Sequence, residues 1–263
     1  MCDNENSLFK LHLLTLRLVR GAGGLLDVLY PPRCVVCRAW TSPGECFCAQ
    51  CRAGVIPVPK PWCKHCGGPA ILDDEPCVHC AGERYPAFMW STAAGLYQGT
   101  LRHAIHAFKY RRYLQLSKPL AGLMAEALDN SDCPLLERDV DGVVTPFDMI
   151  VPAPLHPSRE RYRGFNQAEL LARELGAALG VPVRTDVLRR VRATSTQTAL
   201  SRTERAENVV GVFEAIGPVA VEGQSILLVD DVLTTGATMR DASRVLQNSG
   251  ARRIGVVTAA RAV

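Results

Sequence analysis

The C-terminal part of the chain alternates between two patterns of apolar and polar positions. Short β-branched runs at residues 225–229 and 252–258 are typical of buried parallel strands. Between them, residues 239–248 carry apolar side chains at helical spacing, and Gly250 follows as a C-cap. Because strands that alternate with helices form parallel sheets, the pattern predicts an α/β fold with a parallel sheet.

The same two patterns predict further elements upstream. Strands are expected at residues 90–97, 148–151, 183–187 and 209–213. Helices are expected from Thr100 through Phe108, over residues 118–128, and from a capping Asn166 to residue 179. Residues 129–146 are polar and acidic and predict a loop. Residues 189–208 predict a mobile loop or short helix that could close on a polyanion.

Residues 30–82 differ from the rest, because prolines interrupt them and no long periodic segment could build a hydrophobic core there. Eight of the 11 cysteines fall into Cys-x-x-Cys pairs: Cys34/Cys37, Cys48/Cys51, Cys63/Cys66 and Cys77/Cys80. Two thiolates at this spacing can bind one metal ion, and the lack of an export signal favours a reducing compartment. We therefore predict two structural zinc ions, which would supply the folding energy of this region.

The order of the pairs suggests which cysteines share a zinc ion. The first set would be Cys34, Cys37, Cys48 and Cys51, and the second Cys63, Cys66, Cys77 and Cys80. Interleaved pairing is the alternative, and Cys46, two residues before Cys48, could compete as a ligand. A structural role is the commonest one for such a ribbon, but its basic residues keep nucleic-acid binding as an alternative.

The composition divides the chain into three parts. Residues 1–29 are expected to form an amphipathic helix that packs on the protein, with a membrane-surface helix as the alternative. Residues 30–82 would form a double zinc ribbon and residues 83–263 the α/β domain. No apolar run approaches about 18 residues, so no transmembrane span is predicted. The net charge of +4 tolerates anionic ligands but does not by itself indicate a nucleic-acid partner.

The strand predicted at residues 225–229 leads into the most informative stretch of the chain. Two adjacent carboxylates, Asp230 and Asp231, are followed by a loop of small residues: Thr234, Thr235, Gly236, Ala237 and Thr238. The loop amides and the N-terminus of the next helix favour an anion. The carboxylates would repel that anion unless they accept hydrogen bonds from hydroxyls of the same ligand. The stretch therefore predicts a site for a sugar 5′-phosphate, with an ordinary βα turn as the alternative.

Two further segments are candidates for the rest of an anion site. Residues 109–113, Lys-Tyr-Arg-Arg-Tyr, contain no acid. They are either a solvated helix end or a basic, aromatic lip over a phosphorylated substrate. Residues 152–157 form a rigid loop of small residues after a predicted strand, where a pyrophosphate could lie, and Arg159, Arg161 and Arg163 follow it.

Four features occur in order along the chain. The first is the set of Cys-x-x-Cys pairs that begins at Cys34. The second consists of two segments, Phe108-Lys109-Tyr110 and Arg161-Tyr-Arg-Gly-Phe-Asn-Gln167. The third is the Arg/Thr/Gln pattern from Arg192 to Asn208, and the fourth is the Asp-Asp-x-x-Thr-Thr-Gly-x-Thr motif. The last motif resembles the phosphoribosyl pyrophosphate (PRPP) motif of type I phosphoribosyltransferases. The combination, which covers the chain from about Leu25 onward, resembles the ComF family of double-zinc-ribbon proteins with a phosphoribosyltransferase-like domain.

The resemblance implies a bacterial cytoplasmic protein associated with natural transformation, with single-stranded DNA and a competence helicase as implied partners. It assigns the ribose to Asp230 and Asp231 and the 5′-phosphate to residues 234–238. It places a pyrophosphate loop at Ala153, Pro154, Leu155 and His156 with Arg161 and Arg163, and a flexible loop at Arg192, Thr194, Gln197 and Arg205. No segment matches the base-recognising hood of phosphoribosyltransferases, so the acceptor is not identified.

Three functions follow from this interpretation. The first is a Mg²⁺-dependent phosphoribosyltransferase, in which the acidic pair stabilises positive charge on the ribose and Mg²⁺ neutralises the departing pyrophosphate. The second is an accessory protein that binds single-stranded DNA without turnover and stacks bases on Tyr110 and Tyr113. The third is a PRPP-responsive regulator, because the fold alone does not choose among these functions.

Overall fold

The computed structural model describes residues 31–63, 65–70, 77, 80, 87–131, 137–138, 144–145, 147–192 and 211–263. Its centre is a parallel sheet of four strands: β1 (Trp90–Ala93), β4 (Met149–Pro152), β7 (Ser225–Leu233) and β8 (Arg253–Arg261). The strand order is β1-β8-β7-β4, with Val229 paired to Val257 and to Pro152. The predicted parallel α/β fold is thereby confirmed, and the carboxyl ends of its strands share one edge.

The described residues form six α-helices, which in chain order are α1 (Ala49–Ala53), α2 (Gly99–Tyr110), α3 (Ser117–Asp129), α4 (Pro157–Arg163), α5 (Gln167–Leu179) and α6 (Ala237–Asn248). Of these, α2, α3, α5 and α6 pack against strands of the sheet. Helix α3 packs on α5, and α5 packs on β4 and β7. Residues Ile226, Leu227, Leu228 and Val229 are all fully buried, as expected for a strand that is covered on both faces.

The two strands that flank the site are longer than the sequence predicted. Strand β7 continues past Val229 because β8 continues beside it, so that Asp230 pairs with Thr258 and Val232 with Ala260. The acidic residues therefore lie inside a strand and not after it. Helix α6 likewise begins at Ala237, two residues before the predicted start.

Two sequence predictions about short segments were wrong. Residues 129–146, predicted to be a loop, contain an antiparallel pair of strands, β2 (Glu137–Arg138) and β3 (Val144–Thr145). No strand spans residues 183–187: Val183 makes a single bridge to Ile150. The chain then turns away from the sheet, and β5 (Leu188–Arg190) pairs antiparallel with β6 (Phe213–Ala215). The apolar side chains of residues 187–188 and 212–213 are buried at this antiparallel pair of strands. The observed strand therefore begins at Leu188, one residue after the end of the predicted one.

By its contacts the chain divides into two compact units, with the break between Ala53 and Gly54. The first unit contains α1 and the first predicted cysteine set; the second contains the second set and the parallel sheet. The helix predicted for residues 1–29 lies outside the described residues. Within the described ranges, no helix combines the length and apolarity needed to cross a bilayer.

Candidate functional site

Strand β7 and helix α6 are joined by a short turn, Thr234-Thr235-Gly236, at the carboxyl edge of the sheet. Gly236 has a φ of 76°, a left-handed conformation that glycine adopts without steric cost. A Cβ atom at this position would also lie 3.1 Å from Nη1 of Arg240. Thr234 is exposed and Thr235 partly so, which means that solvent reaches the turn.

The first amide groups of α6 have no acceptor inside the helix. The Arg240 N–H donates to the Gly236 carbonyl at 2.8 Å, and the amides of Ala237 and Thr238 precede that bond. The Ala237 amide approaches Thr235 Oγ1 only at 3.4 Å, which is a long contact. These amides and the positive end of the helix dipole form an arrangement that can bind a phosphate.

Two arginines bind the carbonyl groups of the same turn. Arg261 Nη1 donates to the Leu233 carbonyl at 2.8 Å and also to the Thr234 carbonyl. Arg240 Nη2 donates to the Thr235 carbonyl at 2.7 Å. Because the C=O and N–H of a trans peptide point in opposite directions, these bonds turn the amides of the following residues away from the arginines. The carbonyls are satisfied, and the amides stay available to a ligand.

The two carboxylates at the end of β7 have different surroundings. Asp231 is only 7% exposed, and its Oδ1 lies 2.7 Å from Nζ of Lys109 at the end of α2. Burial would lower the pKa of Lys109, but the negative charge of Asp231 and the hydrogen bond to it outweigh burial and raise that pKa. Lys109 is therefore held in its charged form beside Asp231.

Asp230 keeps part of its surface accessible, and one of its oxygens accepts the amide hydrogen of Asp231 at 2.8 Å. Burial, and then the charge of Asp231, raise the pKa of Asp230 to about 7. The charges of Lys109 and Arg190 act in the opposite direction. Asp230 therefore changes its protonation state near neutral pH.

The predicted pyrophosphate loop follows β4, beside the end of β7. The Ala153 amide donates to the Val229 carbonyl at 2.8 Å, and Asn166 Nδ2 donates to the Ala153 carbonyl at 3.1 Å. His156 caps α4, because its Nδ1 accepts the Ser158 amide at 3.2 Å. The rest of the loop is partly exposed at the same edge: Pro154, Leu155 and His156.

Several arginines gather near the acidic pair. Arg163 Nη1 donates to Gln167 Oε1 at 2.7 Å, and its guanidinium lies 5.5 Å from the centre of the Tyr110 ring. Burial and the charge of Arg163 lower the pKa of Arg159, and burial and the charge of Arg159 lower the pKa of Arg190. Arg159 therefore lies close enough to both Arg163 and Arg190 for their positive charges to repel one another. Arg161, in contrast, is fully exposed on α4.

The predicted flexible loop lies mostly outside the described residues, and with it Thr194, Gln197 and Arg205. Arg192 is described and is exposed just after β5. At the other end, the buried Asp241 carboxylate on α6 accepts the amide hydrogens of Gly211, Val212 and Phe213 at 2.9, 2.8 and 3.1 Å. Helix α6 thus anchors the chain where it enters β6.

Sequence reasoning missed five contributors to this site. Lys109 was expected to be a solvated cation or part of an exposed lip, but its side chain is only 17% exposed and pairs with Asp231. Arg190, Arg240, Asp241 and Arg261 were not singled out at all. For Asp241 a signal exists, since it occupies an inward position of α6 beside Ala242. For Arg190 and Arg261 none exists, because the groups with which they interact are distant in sequence, whereas Arg240 bonds the Thr235 carbonyl only five residues away.

The eight paired cysteines form the two sets that the order of the pairs suggested. Cys34, Cys37, Cys48 and Cys51 form one cluster, and Cys63, Cys66, Cys77 and Cys80 the other. Within each cluster the sulfur atoms all lie within 4.8 Å of one another, with Cys37 and Cys48 at 3.5 Å and Cys66 and Cys77 at 3.4 Å. Sulfurs around a tetrahedral zinc ion are about 3.8 Å apart. Both clusters therefore fit a structural zinc ion, and Cys46 belongs to neither.

Comparison with known proteins agrees with both parts of the chain. A family described as a double zinc ribbon domain matches residues 25–81, and one described as a phosphoribosyl transferase domain matches residues 161–262. A glutamine PRPP amidotransferase structure from B. subtilis, complexed with ADP and GMP, matches 59% of this chain and 30% of its own, with 18% identity and a TM-score of 0.37.

Fold, site and cysteine clusters together define a double-zinc-ribbon protein with a phosphoribosyltransferase-type domain. Competence protein F of Haemophilus influenzae is 29% identical over 232 residues, which are 88% of this chain and 97% of that protein. DNA utilization protein YhgH of Salmonella typhimurium is 33% identical over 194 residues, which are 74% of this chain and 81% of that protein. The chain belongs to the ComF family.

Proposed function

We propose that this protein binds PRPP and transfers its phosphoribosyl group, in a process connected with DNA uptake or utilization. The observation that carries the proposal is the position of Asp230 beside an amide-lined turn. In β7 the carboxylate lies four residues before Thr234, the first residue of that turn. A ligand with hydroxyls next to a phosphate would satisfy both the acids and the amides. The relatives named for competence and DNA utilization support the biological context.

The two carboxylates would have different roles. Asp231 is neutralised by Lys109 at 2.7 Å, whereas the salt bridges of the described residues include none to Asp230. Asp230 is therefore the group that would accept hydrogen bonds from the ribose hydroxyls. When pyrophosphate leaves C1 and positive charge develops on the ring, an ionised Asp230 would stabilise that charge. Lys109 would hold the Asp231 carboxylate in place.

The arginines near the acids would bind the departing group. Arg163 and Arg159 lie on or beside α4, directly after the predicted pyrophosphate loop. Their guanidinium groups can form paired hydrogen bonds with phosphate oxygens. Mg²⁺, a hard cation that prefers oxygen ligands, fits the carboxylate of Asp230 and would neutralise charge on the pyrophosphate. The amides of residues 235–238 would hold the 5′-phosphate.

Isothermal titration with PRPP and Mg²⁺ tests this proposal. The wild-type protein is expected to bind PRPP, and Asp230→Asn should weaken binding by at least about tenfold, since it removes a charged hydrogen-bond acceptor. Asp186→Asn is the matched control, because Asp186 is exposed and pairs with Arg184 at the surface. Wild-type protein that releases no heat, or an Asp230 variant that binds as tightly, contradicts the proposal. Pyrophosphate release with an added acceptor would distinguish an enzyme from a PRPP-responsive regulator.

Single-stranded DNA binding is the second candidate function, and the aromatic surface near the site favours it. Tyr162 is 81% exposed and Tyr110 is 58% exposed, and Arg112 and Arg163 lie beside them. Bases can stack on such rings while the arginines contact phosphates. Because Lys109 is engaged with Asp231, the surface is smaller than the sequence suggested.

The DNA candidate is tested by fluorescence anisotropy with a labelled oligothymidylate at several salt concentrations. We expect binding that declines steeply with salt, and a loss of about 1–3 kcal/mol in Tyr162→Ala, the value of one stacked base. Leu114→Ala is the control, since Leu114 is an exposed apolar residue without a ring. Absence of binding at low salt would rule this function out.

A further inference from the structure

Arg261, the last residue of β8, contacts both the second cysteine cluster and the turn of the phosphate site. Its side chain is only 3% exposed. Nη1 donates to the carbonyls of Leu233 and Thr234, at the end of β7, and to that of Ala262 at 3.1 Å. Nη2 lies 3.8 Å from Sγ of Cys66, in the second cluster. One guanidinium group thus joins two parts of the second unit.

The charge of Arg261 has no carboxylate partner among the described residues. Its partners are carbonyl groups and a sulfur, and its Nε atom is buried without a hydrogen-bond partner. A buried cation without a counter-charge is costly. Four thiolates around one divalent zinc ion carry a net negative charge. Among the described groups that contact Arg261, the zinc-loaded cluster is the one that would carry negative charge.

The chain makes room for this contact. A Cβ atom on Gly68 would lie 3.0 Å from Nη2 of Arg261, so a larger residue would force the guanidinium to shift. A Cβ atom on Gly67 would lie 2.8 Å from the Ser91 carbonyl in β1, and Ser91 Oγ donates to the His65 carbonyl at 2.9 Å. The second ribbon is therefore held closely against the sheet that carries the phosphate site.

We propose that Arg261 is a positioning residue through which zinc in the Cys63/Cys66/Cys77/Cys80 cluster stabilises the phosphate-binding turn. The bonds to the carbonyls of Leu233 and Thr234 fix the peptide groups of the turn. The Thr234 carbonyl shares its peptide group with the Thr235 amide, so the bond from Arg261 to this carbonyl turns that amide outward. Loss of the zinc ion leaves the guanidinium without its counter-charge and releases the turn. By thermodynamic linkage, a ligand bound in the turn raises the affinity for zinc by the same factor by which zinc raises the affinity for the ligand.

This inference rests on the proposed phosphate site, but its first test needs no phosphorylated ligand. Zinc release to a colorimetric chelator is followed in the wild type, Arg261→Met and Arg261→Lys. Arg261→Met should release one zinc equivalent at least about fivefold faster, the lower end of typical coupling energies. Arg261→Lys restores a positive charge and should release zinc at a rate nearer to that of the wild type. Equal release rates in all three proteins would overturn the proposal.

Hydrogen exchange of a peptide that covers residues 225–239 provides the second test. Zinc removal, and Arg261→Met, should raise exchange in the turn, while α5 amides report whether the fold persists. Arg184→Met is the control: Arg184 pairs with Asp186 at the surface, so its loss should change neither exchange in the turn nor zinc release. Turn exchange that is insensitive to zinc in a folded protein would contradict the link.

Titration with PRPP and Mg²⁺ separates this inference from the function on which it rests. If the wild type binds PRPP, the zinc-depleted protein should bind at least about fivefold more weakly. If the wild type does not bind PRPP, the proposed function fails, whereas the zinc-release and exchange results still decide whether Arg261 links the cluster to the turn.

Discussion

Asp230 shows how strongly one side chain depends on its neighbours at the residue scale. The sequence motif predicted a carboxylate at this position, but its pKa of about 7 follows from burial and from Asp231, with Lys109 and Arg190 opposing. The ion pair between Lys109 and Asp231 is likewise a property of the fold, since α2 and β7 are distant in sequence. The motif was sufficient to predict which residues form the site. Their charge states could not be predicted from it, because these depend on neighbouring groups that only the fold brings together.

The raised pKa of Asp230 predicts how stability depends on pH. Its ordinary value is 3.8, and its value in the folded protein is about 7. The folded state therefore holds the proton more tightly, and this contribution is lost as pH rises from about 4 through 7. Asp230→Asn mimics the protonated form, so its stability relative to the wild type should increase over that range, by on the order of 4 kcal/mol.

Thermal unfolding of both proteins at pH 5 and pH 8.5 measures this difference. The midpoint of Asp230→Asn should exceed that of the wild type by several degrees more at pH 8.5 than at pH 5. Asp186→Asn again serves as the exposed control. A difference between Asp230→Asn and the wild type that is the same at both pH values would show that the carboxylate has an ordinary pKa.

At the element scale, helix α6 performs two tasks. Its N-terminus offers amides to a ligand, and Asp241 in its second turn binds three consecutive amides at the start of β6. The helix itself was predictable from its apolar spacing. Its second task was not, because β5 and β6 pair across residues 193–210, and single-sequence patterns give little information about such pairing.

Asp241→Asn is expected to loosen β6. An amide side chain has one acceptor oxygen in place of two, so at least one of the three backbone N–H groups loses its partner. The free energy of unfolding should fall by about 1–3 kcal/mol, and exchange of the amides in residues 211–215 should increase. Denaturant unfolding and hydrogen exchange measure these effects.

Glu214→Gln provides the matched control on the same strand. Glu214 is exposed and pairs with Arg189 at the surface, where ion pairs contribute at most about 1 kcal/mol. The control should unfold like the wild type. If Asp241→Asn behaves no differently from Glu214→Gln, the carboxylate does not anchor this strand.

At the scale of the whole molecule, the regular spacing of residues along the sequence provided most of the information from which the fold was predicted. The Cys-x-x-Cys pairs and the alternation of strands and helices predicted the two ribbon-type clusters and the parallel sheet. The contact between Arg261 and Cys66 joins residues 195 positions apart. No local pattern marks such a contact, which explains why the link between zinc cluster and turn emerged only from the structure.

The most direct test of the central claim is a crystal structure with ribose 5-phosphate or PRPP and Mg²⁺ bound. The phosphate is expected against the amides of residues 235–238, with the ribose hydroxyls within hydrogen-bond distance of Asp230. A ligand that binds elsewhere, or a saturating soak that leaves the turn and Asp230 without a ligand, would contradict the account.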